Sequence, residues 1–250
     1  MNYAIYPCKT MRITQNYKGK TSHKPHTTGT PKDYPIDEGC SDTGKDYIYC
    51  PCDEMKVRRV YGVGTKGTNT IWLESTDKVS FADGSEDYMT MLITHPDDAD
   101  LKNIKVGDIF KRKEKITREG KDGATANHLH ISAGKGKMKG AGWMQNSKGK
   151  WVLTTTKTAS KPEDIFYIDP DFTKVVSSGS LKFKTLPDKY SAGYYKVDTA
   201  VLNVRVGPDT NYKKTGILTK GKTVKITKTK GNWGCYSGSK WICLDYCRFM

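Results

Sequence analysis

The chain has 250 residues, of which 10% are aromatic, and a formal net charge of +15 from 42 Lys and Arg against 27 Asp and Glu. The aromatic content excludes wholesale disorder, because disordered chains lack the side chains that form a core. No apolar run approaches the roughly 18 residues of a membrane span, so we expect no membrane insertion. The basic excess favours an anionic partner, such as nucleic acid, an acidic membrane or an anionic cell wall.

The opening segment, Met1–Tyr17, lacks the charged stretch followed by an apolar stretch that is typical of a secretory signal. We therefore expect the protein to reside in the cytoplasm of the cell that makes it. In that compartment the seven cysteines are expected to be reduced thiols.

Short runs rich in β-branched and aromatic residues, separated by Gly, Asp, Asn and Pro, predict an all-β protein. In the first part of the chain the predicted strands are Lys56–Tyr61, Thr70–Glu74, Tyr88–Thr94, Asp108–Phe110 and His128–Ser132. A basic glycine-rich loop is predicted at Gly134–Gly142, and a hairpin at Gly142–Thr154 with its turn at Asn146–Gly149. Near the C-terminus the predicted strands are Tyr194–Val197, Val201–Val206, Lys214–Leu218, Thr223–Lys228, Trp233–Tyr236 and Trp241–Leu244.

The stretch 177–192 interrupts this pattern with Ser177-Ser-Gly-Ser180 and Pro187, and we interpret it as a linker. The chain is then expected to contain an antiparallel β-sheet domain over 1–176, with the hairpin extension beginning at about 136. The strands after the linker are short and closely spaced, which predicts a small β-barrel over 193–250.

All five histidines lie in the first 130 residues, and two of them form the pair His128-Leu129-His130. Side chains at i and i+2 of a strand face the same side, so one imidazole can bind a metal while the other lies beside its open position. Asp37 ends the strand-like run Tyr34-Pro35-Ile36-Asp37 and adds a carboxylate. Catalytic zinc commonly has three protein ligands, with nitrogen and carboxylate donors, and one water. A His, Asp and His set satisfies this count for one zinc ion.

Three short motifs between about residues 12 and 135 occur in the same order as in a known protein family. They are Ser22-His23 with Ile36-Asp37, Thr94-His95 with Val106-Gly107-Asp108, and Gly120 to Gly123 followed by His128-Leu129-His130. In this order they resemble the LytM/lysostaphin-type zinc endopeptidases, which cut peptidoglycan cross-bridges or stem peptides on an all-β scaffold.

The resemblance implies a role for each of these residues. His23, Asp37 and His130 would hold the zinc ion, and His128 would be the general base. His95 would face the same pocket and stabilise the oxyanion or share the proton transfer.

Two departures from the family pattern leave alternatives open. His23 and Asp37 lie fourteen positions apart, whereas the family usually has a much shorter spacing. His26 is therefore a rival to His23, and Asp33 is a rival to Asp37. Pro96 follows His95 where the family has a large apolar residue, so a loop histidine that caps the acidic run Asp97–Asp100 is the alternative role for His95.

The C-terminal segment Val201-Leu-Asn-Val-Arg-Val-Gly-Pro208 resembles the signature of bacterial SH3-like domains, which implies a wall-binding module. From Lys196 onward, 11 Lys and Arg minus 3 acidic residues give +8, which suits an anionic wall polymer or the carboxylates of stem peptides. The aromatic residues in this segment either line a groove or form the core: Tyr194, Tyr195, Tyr212, Trp233 and Tyr236.

Together these features predict a monomeric peptidoglycan hydrolase, a zinc metalloendopeptidase joined to a wall-binding barrel. The expected source is a phage or prophage, as an endolysin that reaches the wall after release from the host cytoplasm or as a tail-associated lysin. Which peptide bond it cuts stays open. The alternative is a non-catalytic wall-binding protein with a degenerate metal site. A nucleic-acid-binding protein is suggested only by charge, and we expect no nucleic-acid partner because no zinc-finger or RNA-binding motif is present.

Overall fold

The computed structural model describes residues 2–18, 34–39, 45–67, 69–138, 143–145, 151–153 and 158–250. The chain is built mostly of β-strands, which confirms the predicted all-β class. Within the described ranges the helices are single turns, α1 (Asp98–Leu101), α2 (Pro162–Ile165) and a 3-10 turn at Leu244–Tyr246. None of the helices in these ranges has the length and apolar character needed to cross a bilayer. The chain forms two compact units, Met1–Leu186 and Pro187–Met250.

The strands of the first unit follow one another closely along the chain. They are β1 (Thr10–Gln15), β2 (Ile36–Gly39), β3 (Tyr47–Tyr49), β4 (Glu54–Tyr61), β5 (Thr70–Ser75), β6 (Val79–Ser80), β7 (Glu86–Asp87), β8 (Met89–Thr94), β9 (Ile109–Lys111), β10 (Lys115–Arg118), β11 (His128–Lys135), β12 (Trp143–Gln145), β13 (Trp151–Leu153), β14 (Thr158–Ala159), β15 (Tyr167–Ile168), β16 (Lys174–Ser177) and β17 (Lys184–Thr185).

One large sheet organises the first unit, in the order β16-β1-β2-β11-β8-β5-β4-β9. β14 pairs with the last residues of β11, beyond the part of β11 that pairs with β2. All neighbours in this sheet are antiparallel except β1 and β16, which run parallel. The antiparallel architecture predicted for the first domain is therefore observed, with one parallel strand added at its edge.

The core of the first unit lies against one face of this sheet. Ile36, Ile131, Ile93 and Ile71 are directly opposed across β2, β11, β8 and β5, and all are at most 1% exposed. Burial of each such side chain contributes about 1.5–3 kcal/mol. Because strand side chains alternate between faces, this isoleucine row places the neighbouring residues of the same strands on the opposite face.

Glu38 is a buried carboxyl group on the core face of β2, next to Asp37 on the other face. It accepts hydrogen bonds from the Tyr6 hydroxyl and from the Arg12 backbone N–H, the latter at 2.5 Å. Burial raises the pKa of Glu38 to about 8, although these two hydrogen bonds lower it. The group is therefore mostly neutral at pH 7 and stabilises the β1–β2 region without a buried charge.

The segment predicted as a linker, 177–192, is part of the first unit over its first half. Leu181 is buried and Phe183 packs against the core of the first unit, while β17 pairs with β15. The two compact units separate between Leu186 and Pro187. The Ser and Gly composition suggested an exposed stretch, but the two apolar side chains bind it to the core.

Two predictions about the hairpin extension meet the structure only in part. β11 continues to Lys135, so the strand extends into the region predicted as a basic loop. β12 and β13 pair in antiparallel fashion as the predicted hairpin requires. The predicted turn, Asn146–Gly149, lies outside the described residues.

The second unit is a small β structure with its own core. Its strands are β18 (Gly193–Val197), β19 (Val201–Arg205), β20 (Lys214–Thr219), β21 (Thr223–Ile226), β22 (Lys228–Lys230), β23 (Trp233–Ser237), β24 (Lys240–Cys243) and β25 (Cys247–Phe249). They form sheets in the orders β21-β18-β25 and β20-β19-β24-β23-β22. The sequence predicted six of these strands. It merged β22 with β21 and missed β25, which pairs with β18 at the end of the chain.

Candidate active site

A row of polar side chains crosses the large sheet on the face opposite the isoleucine row. Gln15 is paired with Asp37, Asp37 with His130, and His130 with Thr94. Directly opposed residues place their side chains on the same face. The register of β1, β2, β11 and β8 therefore brings Asp37 and His130 together.

Asp37 and His130 are in direct contact. The distance from Asp37 Oδ1 to His130 Nδ1 is 3.1 Å. The second carboxylate oxygen, Oδ2, accepts a hydrogen bond from Gln15 Nε2 at 2.9 Å. The side chains of Asp37 and His130 are 12% and 20% exposed, so the pair is largely buried and keeps a small contact with solvent. One carboxylate oxygen is thus held by the protein while the other faces the imidazole.

His128 lies beside this pair, two residues before His130 on the same face of β11. Its strand partner is Gly39, which has no side chain to cover the imidazole. His128 Nδ1 lies 3.0 Å from the Ala126 carbonyl oxygen, which can only accept, so Nδ1 carries a hydrogen, and in the neutral ring the lone pair is then on Nε2. Nε2 lies 3.9 Å from Asp37 Oδ1. Nε2 of His128 therefore lies next to the Asp37 carboxylate.

His95 follows β8 and reaches the same site from a loop. Its ring centroid lies 4.6 Å from that of His128 and 6.2 Å from that of His130. His95 Nδ1 donates to the Asp122 carbonyl oxygen at 2.7 Å. Burial lowers the pKa of His95 and the two neighbouring imidazoles lower it further, against the hydrogen bond to Asp122, which raises it. His95 is therefore held in its neutral form.

The acidic run after His95 has its own partners. Asp97 forms an ion pair with Lys45, and Asp100 Oδ1 accepts from Arg118 Nε at 2.6 Å. Part of the run, Asp98–Leu101, forms the single turn α1, and these two cations pair with its charges. The imidazole of His95 forms its hydrogen bond with the carbonyl of Asp122. In the alternative role, the imidazole would instead cap the acidic run.

The structure describes only part of the predicted zinc site. His23, His26 and Asp33 lie outside the described residues. Among the residues that are described, no group of three or more His, Cys, Asp and Glu side chains could hold a metal ion. The two candidate ligands that are described, Asp37 and His130, supply the oxygen and nitrogen donors that zinc accepts.

The spacing of these two donors also fits. Two ligand atoms at about 2.0–2.1 Å from a tetrahedral zinc ion are roughly 3.4 Å apart. The observed 3.1 Å between Asp37 Oδ1 and His130 Nδ1 is close to that separation. The pair is therefore compatible with two of the three ligands that a catalytic zinc site requires.

Sequence reasoning missed three residues that organise the site. Regular alternation in β1 would place Gln15 on the core face with Ile13, but the register shifts between these two residues and Gln15 pairs with Asp37 on the site face, which the sequence pattern does not indicate. Asp122 and Gly120 lie in a loop, where no periodicity indicates a contact with His95. A Cβ on Gly120 would lie 2.4 Å from the carbonyl oxygen of His95, so only glycine fits there.

Three solved structures are similar to this chain at low sequence identity. The solution structure of lysostaphin is similar to this chain at 17% identity, over 97% of this chain and 88% of its own, with a TM-score of 0.33. The antimicrobial peptidase lysostaphin from Staphylococcus simulans gives 19% identity over 83% and 80%, with a TM-score of 0.32. A zinc-containing peptidase from Vibrio cholerae gives 22% identity over 53% and 36%, with a TM-score of 0.34.

No curated protein sequence matches this chain. Residues 200–237 match the family model of the bacterial SH3 domain. They include β19, β20, β21 and β22, together with β23. The C-terminal unit of this chain therefore contains a bacterial SH3 domain.

Proposed function

We propose that the protein is a zinc-dependent endopeptidase that cuts peptide bonds in bacterial peptidoglycan. The observation that carries the proposal is the contact between Asp37 Oδ1 and His130 Nδ1 at 3.1 Å, with His128 Nε2 at 3.9 Å from the same oxygen. Two metal donors and a basic nitrogen thus meet on one face of the large sheet. The motif order in the sequence and the bacterial SH3 domain support a cell-wall substrate.

Asp37 and His130 would hold the zinc ion together with His23, for which His26 is the alternative. Asp33 is the alternative to Asp37, but the contact with His130 favours Asp37. When bound, zinc would supply Lewis acidity at the scissile carbonyl and lower the pKa of a bound water toward about 7. The contribution of Gln15 is to hold Asp37 Oδ2, which leaves Oδ1 directed at His130.

His128 is suited to be the general base. Its Nδ1–H is committed to the Ala126 carbonyl, so the lone pair on Nε2 is available to take a proton. A neutral imidazole can take a proton in one step and give it up in a later one, which suits the role of general base. The side chain is 22% exposed, so a substrate can reach it.

His95 is suited to assist on the other side of the substrate. Its Nδ1–H is committed to the Asp122 carbonyl, and the lowered pKa keeps the ring neutral. A neutral ring whose Nε2 has a lone pair can accept a proton from the attacking water and so share this step with His128. Once protonated, it can donate a hydrogen bond to a developing oxyanion or return the proton to the leaving amine.

The second unit would hold the enzyme at its insoluble substrate. Its excess of 11 Lys and Arg over 3 acidic residues from Lys196 onward suits anionic wall polymers or stem-peptide carboxylates. Of the five candidate groove residues, Tyr195 is buried in the core, whereas Tyr194 and Tyr212 are 53% and 47% exposed. Tyr194 and Tyr212 are therefore the better candidates for wall contact. Docking raises the local concentration of substrate at the catalytic unit.

Mass spectrometry of fragments released from purified walls of several peptidoglycan types tests this function. We expect new peptide amine and carboxyl termini in the products of the native protein, lost with a chelator and restored by zinc. The matched control is His130→Ala, which should release nothing. The specific bond is identified by the same spectra.

The alternative function, non-catalytic wall binding, predicts another outcome. The native protein and His130→Ala would then bind walls equally, and neither would release fragments. Products cleaved only in the glycan strands would contradict both functions.

A further inference from the structure

The backbone of His95 adopts a conformation that residues with a side chain avoid. Its φ is +80°, and it directly precedes Pro96, which restricts the preceding residue further. Such residues persist only where their surroundings over-determine them. The contacts of His95 therefore decide where its imidazole lies.

Two residues hold the backbone of His95. Its N–H donates to the Asn69 carbonyl at 3.1 Å, and its carbonyl accepts from the Asp122 N–H at 3.2 Å. Gly120 packs directly under the same peptide, at a distance that admits no side chain. The conformation is thus fixed by two segments that come from distant parts of the sequence.

Asp122 also fixes the ring of His95. The Asp122 carbonyl accepts the hydrogen of His95 Nδ1 at 2.7 Å. Because a carbonyl cannot donate, this bond selects the tautomer with hydrogen on Nδ1 and a lone pair on Nε2. An imidazole without such a partner is free to carry its hydrogen on Nε2 instead.

The carboxylate of Asp122 in turn fixes its own backbone. Oδ1 accepts from the Gly67 N–H at 2.7 Å, and Oδ2 accepts from the Asn69 N–H at 2.8 Å. Asn69 is the residue whose carbonyl receives the N–H of His95. The hydrogen bonds therefore form a closed ring through Asp122, Asn69 and His95.

We propose that Asp122 is a positioning residue that sets the tautomer and the orientation of His95 for the hydrolytic reaction. The proposal rests on the function proposed above, because it assigns His95 a part in that reaction. The hydrogen bonds of Asp122 go to Gly67, Asn69 and His95. Among the described residues they reach neither Asp37 nor His130, so the described contacts of Asp122 lead to His95 and not to these two candidate zinc ligands.

Asp122→Asn and Asp122→Ala test the proposal. The asparagine keeps one acceptor oxygen but turns an NH2 group toward the second backbone N–H, and the alanine removes both acceptors. We expect kcat to fall about 10–100-fold, in the range of other positioning contacts, with KM within twofold and bound zinc unchanged. In ¹⁵N spectra of histidine-labelled protein, assigned with His95→Gln, the signals of His95 should shift from the Nδ1–H form toward the Nε2–H form.

Asp108→Asn is the matched control, because Asp108 also accepts a backbone N–H in a turn, that of Lys105 at 2.8 Å. It should alter neither kcat nor the tautomer of His95. The proposal is overturned if the His95 tautomer is unchanged in both Asp122 variants, even if kcat falls because less of the protein is folded. If the native protein cuts no peptidoglycan, the proposed function fails, and the tautomer spectra still decide what Asp122 does to His95.

Discussion

The candidate site has a strand-borne half and a loop-borne half, and the two are held in different ways. Asp37, His128 and His130 lie on paired strands, where register alone sets which side chains share a face. His95 lies in a loop with φ +80°, where its position depends on contacts with Asp122 and the close packing of Gly120. The strand half is thus built into the core architecture, and the loop half depends on a few specific hydrogen bonds.

This difference separates the expected effects of mutations. A change in the strand half leaves the scaffold in place, because the isoleucine row on the opposite face still holds the sheet. It should alter chemistry or metal binding alone. A change in the loop half should alter geometry first, and activity through it.

Of the variants considered, the one that removes His128 is expected to have the largest effect on activity. For His128→Ala we expect hydrolysis to fall about 10²–10⁴-fold, because the general base is lost. Bound zinc should be unchanged, because His128 is outside the proposed ligand set. Fragment release and metal analysis measure the two quantities, and loss of zinc along with activity would make His128 a ligand instead.

Gln15 tests the support of the strand half. Gln15→Met keeps the side-chain volume but removes the 2.9 Å hydrogen bond to Asp37 Oδ2. With the carboxylate less firmly oriented, we expect zinc affinity to fall about 10–100-fold. Competition with a chelator measures this affinity. An unchanged affinity would mean that strand register alone orients Asp37.

Gly120 tests the loop half by steric pressure. In Gly120→Ala, the new Cβ would lie 2.4 Å from the His95 carbonyl oxygen and 2.5 Å from the Asp97 nitrogen, both backbone atoms. We expect a loss of about 1–3 kcal/mol in the free energy of unfolding and a lower kcat, with zinc retained. Urea denaturation and kinetics measure these.

The control for that variant is Gly216→Ala, because a Cβ there would meet its nearest neighbour only at 4.0 Å. It should leave both stability and kcat nearly unchanged. Equal effects from the two variants would contradict the idea that the loop half depends on close packing at Gly120.

The smallest effect is expected at the end of β11 that is far from the site. Lys135 forms an ion pair with Asp83 and donates to the Ser85 hydroxyl at 2.8 Å. Burial raises the pKa of Asp83, but hydrogen bonds from Lys135 and Ser85 outweigh it and lower that pKa to about 2. Because the folded pKa is depressed, this stabilisation is present above pH 4 and lost as the pH falls toward 2.

Lys135→Met should therefore cost less than about 1 kcal/mol at pH 7, since the pair is partly solvated. It should also weaken the dependence of stability on pH between 4 and 2, and leave kcat unchanged. Denaturation at pH 7 and pH 3 measures both. A change in kcat would show that the two ends of β11 are coupled.

The strand half could be predicted from the sequence because period-two alternation is a local signal. Ile36 before Asp37, and Leu129 between His128 and His130, already indicated which side chains face the core. The structure places Ile36 and Leu129 there, at 0% and 1% exposure.

The loop half could not be predicted in the same way. The contacts of Asp122 with Gly67, Asn69 and His95 join segments that are distant in sequence and carry no repeating pattern. The packing of Leu181 in the core of the first unit was missed for a similar reason, since the four residues before it are Ser and Gly. Contacts of this kind depend on which loops lie next to each other, and only the three-dimensional fold determines that.

The central claim is that Asp37 and His130 share one zinc ion, and the metal content of purified variants tests it most directly. We predict about one zinc per chain in the native protein and in Asp33→Ala, and almost none in Asp37→Ala or His130→Ala, with all four folded by circular dichroism. Zinc retained in both Asp37→Ala and His130→Ala, or absent from the native protein after dialysis against zinc, would contradict the account.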